Sequence, residues 1–139
     1  LDALAAVAAC RFLGISMDKI AAGFKLFHGA NRRFQTKKKT ADYWIVDDYA
    51  HHPTEIKTTL EAAKQTQPKR LICVFQPHRY SRTRDQFDAF AAVLSEVDAL
   101  VLSEVYPAGE APIAGADAKS LARSIRFRLV LFCDAMQWQ

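Results

Sequence analysis

No CxxC pair occurs in this sequence, and its three cysteines, Cys10, Cys73 and Cys133, stand far apart and are odd in number. That spacing argues against a cysteine zinc site and against a disulfide framework, and reads as buried free thiols in a reducing cytosol. No apolar run approaches the roughly 18 residues a membrane span needs. The longest, residues 3–10, ends at Arg11. There is no GxxxxGK[ST] loop and no GxGxxG, so the chain carries no phosphate cradle of either kind. Serine, histidine and aspartate are present without a GxSxG elbow, which leaves a hydrolase triad unsupported. No internal repeat or low-complexity tract is visible. No basic leader is present and Leu1 is not methionine, so the sequence reads as a piece of a longer chain.

What is present suits one ordinary domain. The chain has 139 residues, 50% of them hydrophobic and 24% charged, enough apolar matter to bury a core. Nineteen basic against fifteen acidic residues give a net charge of +4. That charge is compatible with a phosphate-bearing ligand and too weak to imply nucleic acid.

Residues 1–13 are Ala-rich and reach Gly14 without a breaker, which predicts a helix; being apolar nearly all round, it is expected to be buried. Ser16 is placed to cap a second helix bearing Ile20, Phe24 and Phe27. Residues 28–35 form a basic, turn-rich break, where a domain boundary is expected. Residues 34–40 and 43–49 read as extended segments joined by a turn at Ala41 and Asp42. Pro53 and Glu55 open a third helix with Ile56, Leu60 and Ala63 on one face. Residues 71–75 and 99–102 read as buried strands. Between them, Thr83 to Gln86 has the form of a capping box ahead of a helix with Phe87, Phe90, Ala91, Leu94 and Val97. Residues 111–115 are loop, Asp117 caps a helix with Leu121, Ala122 and Ile125, and 129–132 suits a last strand. Alternating strands and helices predict an α/β fold: a largely parallel sheet with flanking helices, preceded by two helices.

Ligands of such sheets bind at the carboxyl ends of the strands. The first such end carries Asp47, Asp48, His51 and His52. These four titratable side chains mark either a polar site or a helix cap with solvated loop histidines. The second carries His78, Arg79, Arg82 and Arg84. Guanidinium forks hold carboxylates and phosphates through paired hydrogen bonds, and cations in a first helical turn oppose the helix dipole unless they have such a use. The third carries Glu104, Tyr106 and Glu110, for which an orienting role and ordinary caps stay equally open. Arg32, Arg33, Lys37, Lys38 and Lys39 form a basic run, whose lysines read as a solvated face.

Three stretches, VDDYAHHPTEI (46–56), FQPHRYSRTRDQFDAF (75–90) and EVYPAGEAPIAGAD (104–117), together resemble the C-terminal domain of the Mur ligase family, in order and without large gaps. LDALAAVAACRFLGI and FHGANRRFQ upstream resemble the end of that family's central domain and the linker leaving it. The resemblance implies a Rossmann-like domain over 33–126, the last helices of an ATPase domain over 1–32, and a divergent tail over 127–139. It implies a cytoplasmic, ATP- and Mg2+-dependent ligase of peptidoglycan synthesis that joins L-alanine to UDP-N-acetylmuramate through an acyl phosphate. It further implies that Tyr49, His51, Arg79 and Arg82 surround the L-alanine and that Asp2, Arg33 and Asp48 meet the ATP. No metal ligand, membrane or nucleic-acid partner is implied for this part. Asp2 stands where the family has Asn, and Ala50 where it has Gly; if that Gly has φ > 0, Ala costs about 1 kcal/mol. The residues alone leave two other classes open: a metal-dependent phosphohydrolase using Asp47, Asp48, His51, His52 and His78, and a non-catalytic binding module built on the basic run.

Overall fold

The computed structural model describes residues 2–27, 29–126 and 130–133, with Asp2 and 130–133 as backbone. Leu1, His28 and Leu129, which fall in expected segments, lie outside the described residues. The chain forms two compact units, Leu1–Asp47 and Asp48–Gln139.

The first unit contains helices α1 (Asp2–Phe12) and α2 (Met17–Leu26) and strands β1 (Gln35–Lys39) and β2 (Trp44–Asp47). α1 forms as expected but is not buried: Phe12 is 91% exposed, and Leu4 and Leu13 are also open. Its packed neighbour is α2, and one helix cannot cover a surface that is apolar all round. Ser16 sits at the N-cap of α2 with extended backbone but makes no side-chain cap bond. Of the expected apolar face only Ile20 is buried, while Phe24 and Phe27 are exposed.

β1 and β2 pair antiparallel, Lys39 with Trp44 and Gln35 with Asp47, with a register shift between Thr36 and Lys38. Thr40 closes the turn: its Oγ1 accepts from the amides of Asp42 and Tyr43. The hairpin is a separate two-stranded sheet, so the strand before Asp48 is not a member of the parallel sheet. Local closure through a two-residue turn decides this pairing. Lys38 and Lys39 lie over the Tyr43 and Trp44 rings, and Lys37 pairs with Asp47 at 3.5 Å.

The second unit holds the parallel sheet. Strands β3 (Ile72–Phe75), β4 (Ala99–Ser103) and β5 (Val130–Cys133) lie in the order β3-β4-β5. Both pairings are parallel, with Phe75 beside Leu102 and Leu102 beside Phe132. β4 is central and almost wholly buried. β3 is not the fully buried strand expected: Ile72 and Val74 are about half exposed, while Phe75 is buried. Ile72 and Val74 alternate with Cys73 and Phe75, so β3 turns one face to the core and leaves the other open. Its start is held by Asp98, whose Oδ2 accepts from the Leu71 amide at 2.7 Å. Burial pushes the Cys73 thiol up to about 11.

Among the described residues four helices flank this sheet: α3 (Pro53–Lys64), α4 (Tyr80–Asp85), α5 (Phe87–Leu94) and α6 (Ala118–Ser124). Phe90, Leu94, Leu100, Leu102 and Leu121 are fully buried and form the core with Ile56, Leu60 and Phe75. Full burial of each such side chain contributes about 1.5–3 kcal/mol. The expected capping box at Thr83 is absent. Thr83 lies inside α4, fully buried, with Oγ1 donating to the Arg79 carbonyl at 2.9 Å, and Gln86 precedes α5 without a side-chain cap bond. The box stands instead at α3. His52 Nδ1 accepts from the Thr54 amide, and the Glu55 carboxylate accepts from the amides of His52 and His51.

Asp117 caps α6 as expected, accepting from the Ser120 amide and hydroxyl, both at 2.8 Å. Those bonds hold its carboxyl below the usual carboxylate range. Asp117→Ala should lower stability by about 1 kcal/mol in urea unfolding. Because the folded pKa is depressed, the contribution is complete above the ordinary aspartate value and is lost as pH falls through the lower, folded one. The variant and the parent should therefore converge in acid.

Candidate functional site

The sheet does not end where its strands end. Beyond Phe75 and Ser103 the two chains stay paired: Tyr106 donates to the Pro77 carbonyl and Arg79 donates to the Tyr106 carbonyl, each at 2.8 Å. His78 and Tyr106 form a parallel bridge, and their rings stack with centroids 5.3 Å apart. Gln76 Nε2 adds a bond to the Glu104 carbonyl. The second and third strand ends are thus one piece of structure.

Arg79 then turns the chain into α4 with φ of +74°. That left-handed backbone is unfavourable for a side chain with a Cβ and costs on the order of 1–3 kcal/mol. The turn throws the side chains of Arg79, Ser81 and Arg82 onto one open cavity of about 300 Å3, also lined by His52, Asp85 and Gln86. The volume is at the small end of ligand sites.

The guanidinium of Arg82 is fixed against His78: Nη1 donates to the His78 carbonyl at 3.2 Å and lies 3.4 Å from His78 Nδ1. A guanidinium only donates, so this contact needs Nδ1 without its proton. Burial, followed by the charges of Arg82, Arg79 and His51, holds the His78 pKa below the ordinary histidine value. His78 is therefore neutral at pH 7, with its proton on Nε2. In an NMR titration His78 should gain its proton only below the ordinary histidine range, and Arg82→Ala should move the midpoint back up. Acidification through that range weakens the fold, since the unfolded chain takes the proton first.

Tyr49 and His51 reach the same place through aromatic contacts. The Tyr49 and His51 rings are 5.2 Å apart, and the His51 and His78 rings 6.5 Å. His51 Nδ1 lies 3.0 Å from the Tyr49 carbonyl and 3.4 Å from Glu55 Oε2. Tyr49, His51, His78 and Arg82 form a continuous line of contacts, and Arg79 joins Arg82 at the cavity. The structure so brings together the four residues expected around the amino acid. His52 lines the cavity with its ring engaged as a helix cap. Arg84 is not part of the site: it is exposed and pairs with Asp85 at 2.7 Å.

The three residues expected at ATP belong to different elements of the chain. Asp2 opens α1. Arg33 lies between two left-handed residues, Arg32 and Phe34, ahead of β1. Asp48 starts the second unit, and its Oδ1 accepts from the Ala50 amide at 2.8 Å. Ala50 is not among the described residues with positive φ, and it packs against the core. The strain that replacing a glycine would impose there is therefore not present.

One residue at this site carries no signal in the sequence, and another was left open there between an orienting role and an ordinary cap. Ser81 is an ordinary helix serine by sequence. Glu110, twenty-nine residues on, accepts from the Ser81 amide at 2.9 Å and from its hydroxyl at 2.7 Å.

A parallel sheet with a small cavity lined by two arginines at its carboxyl end fits an anion- or amino-acid-handling domain. The chain belongs to the Mur ligase family: residues 32–137 match the model of the Mur ligase, glutamate ligase domain. Over 134 residues it is 59% identical to UDP-N-acetylmuramate–L-alanine ligases from Xanthomonas euvesicatoria pv. vesicatoria and Xanthomonas campestris pv. campestris. Those alignments cover 92% of this chain and 28% of each relative, so the chain spans just over a quarter of their length. A solved murein peptide ligase from Psychrobacter arcticus superposes with a TM-score of 0.57 at 25% identity, covering 96% of this chain and 28% of that one.

Proposed function

We propose that this chain is the amino-acid-presenting part of an ATP-dependent ligase that joins L-alanine to UDP-N-acetylmuramate in peptidoglycan synthesis. The observation that supports it most is the pair Arg79 and Arg82 on one cavity at the sheet's carboxyl end, in a chain 59% identical to ligases of that name. A free amino acid presents a carboxylate, which a guanidinium fork holds while the amine stays free to react. Arg82 is the better holder, because its contacts with His78 fix its orientation. Tyr49 and His51 are tied to Arg82 through the His78 ring and stand behind the residues that line the cavity. Most of this part's contribution is placement of the amine and balance of charge.

ATP, when bound, supplies the phosphoryl group that activates the acid, with Mg2+ screening its oxygens. The sequence has no phosphate-cradling loop, so we assign the main contacts to ATP and Mg2+ to sequence outside this chain. Arg33, Asp48 and Asp2 then serve the nucleotide from this side. In the same reading residues 1–32 end the preceding domain, 33–126 form the C-terminal domain, 127–139 are its tail, and the setting is cytoplasmic. No helix among the described residues is long and apolar enough to cross a membrane.

The phosphohydrolase reading is not favoured. Asp47 is paired with Arg32 and Lys37, His52 is a cap, and no three His, Cys, Asp or Glu side chains among the described residues group to hold a metal. The test is phosphate release. The full-length protein should release phosphate from ATP only when both UDP-N-acetylmuramate and L-alanine are present, and the 139-residue chain alone should turn over no ATP. Turnover by the isolated chain would overturn the assignment of roles.

A further inference from the structure

We propose that Glu110 is a positioning residue for the amino-acid site: carried in by the loop after β4, its carboxylate latches Ser81 and draws on Arg79, so that both arginines face the cavity. This rests on the reading of the cavity as an amino-acid site.

The latch joins segments twenty-nine residues apart. Glu110 Oε2 accepts the Ser81 amide at 2.9 Å, Oε1 accepts the Ser81 hydroxyl at 2.7 Å, and Oε1 lies 3.9 Å from Arg79 Nη1. Hydrogen bonds from Ser81, together with the Arg79 charge, hold the carboxyl below its ordinary range, so it stays ionised at neutral pH. Arg79 stands in a left-handed conformation that its own backbone disfavours. The turn is tied at its backbone by the Tyr106 carbonyl, which accepts the Arg79 amide, and by buried Thr83, which donates to the Arg79 carbonyl; Glu110 is the tie that reaches the cavity residues themselves. The ion pair itself is long and half exposed, so it adds little energy. The two short bonds to Ser81 do the holding, and Ser81 sits between the two arginines in sequence and on the same cavity.

A carboxylate beside a cationic site can act in two opposite ways. As a mere charge it would weaken anion binding, and removing it would tighten the site. As a latch it forms the site, and removing it would loosen it. The sign of the effect separates the two.

The experiment uses Glu110→Gln and Ser81→Ala in the full-length protein and in the 139-residue chain. In the full-length protein Glu110→Gln should raise the KM for L-alanine about tenfold, the worth of one charge-assisted bond, with the KM for ATP changed less than twofold. Ser81→Ala, which keeps the backbone bond, should show a smaller rise of the same kind, and Glu110→Asp should recover part of the loss. An unchanged or lower KM for L-alanine in Glu110→Gln overturns the proposal, as does an equal rise for both substrates. In the isolated chain, sodium acetate serves as a carboxylate probe read by the Nε–Hε signals of Arg79 and Arg82. Acetate should shift both signals in the parent and shift them less in both variants. Equal shifts in parent and variants overturn the latch even if the full-length protein proves not to be an L-alanine ligase. If Glu110→Gln does not fold, Ser81→Ala decides on the same readings.

Discussion

Arg82→Ala in the full-length protein is expected, on the proposed function, to weaken use of L-alanine by on the order of 2–5 kcal/mol, with use of ATP nearly unchanged. The guanidinium is oriented by the His78 carbonyl and ring, so little freedom is lost when it takes up a carboxylate. Its removal also leaves the incoming carboxylate without its fixed partner. Asp48→Ala should do the reverse, costing ATP more than L-alanine. Because Asp48 also accepts the Ala50 amide, Asp48→Asn, which keeps that acceptor, separates loss of charge from loss of the turn. Steady-state KM and kcat for each substrate are the measurement. Equal effects of both changes on both substrates would mean that the two strand ends have been assigned to the wrong ligands.

The second large effect is expected from deleting everything after Arg126. The tail's consecutive apolar residues suit an extended strand, and Val130–Cys133 does lie parallel to β4, Leu100 beside Val130 and Ser103 beside Cys133. Its removal strips one whole edge from the central strand of the sheet. Four residues of ladder at about 1 kcal/mol per net bond come to on the order of 4 kcal/mol, or a fall in Tm of roughly 15 °C. The bare apolar edge should also pair with other chains and lower solubility. A truncated chain as soluble and as thermally stable as its parent would show that β5 contributes nothing.

Several local signals in the sequence hold in the structure. Pro53 and Glu55 at the start of α3, Asp117 at α6, and the apolar repeats of Phe90 with Leu94 and of Leu100 with Leu102 each depend on neighbours a few residues away. Arginines after a strand and histidines before a helix were legible as a candidate site for the same reason. The errors came where the partner decides. The buried α1 and the fully covered β3 were inferred from composition, which says what a surface needs and not what is beside it. The box at Thr83 failed because burial of its side chain in the core outweighed capping, while His52, not among the usual capping residues, took up that role at α3. Nothing near Ser81 announces that its partner is Glu110, since that bond depends on how the loop after β4 crosses the sheet end.

The bridge between His78 and Tyr106 has a consequence for how this region comes apart. Loop amides ordinarily exchange with solvent through small local openings. Here the amides of Arg79 and Tyr106 are donated across the sheet's continuation, with Pro77 between them fully buried. They should exchange with deuterium on the timescale of β4 itself, as members of the sheet's cooperative unit. Proteases should likewise leave the QPHR stretch uncut until the whole unit opens. The binding turn has no separate melting of its own: it persists, at full geometry, for as long as the sheet does.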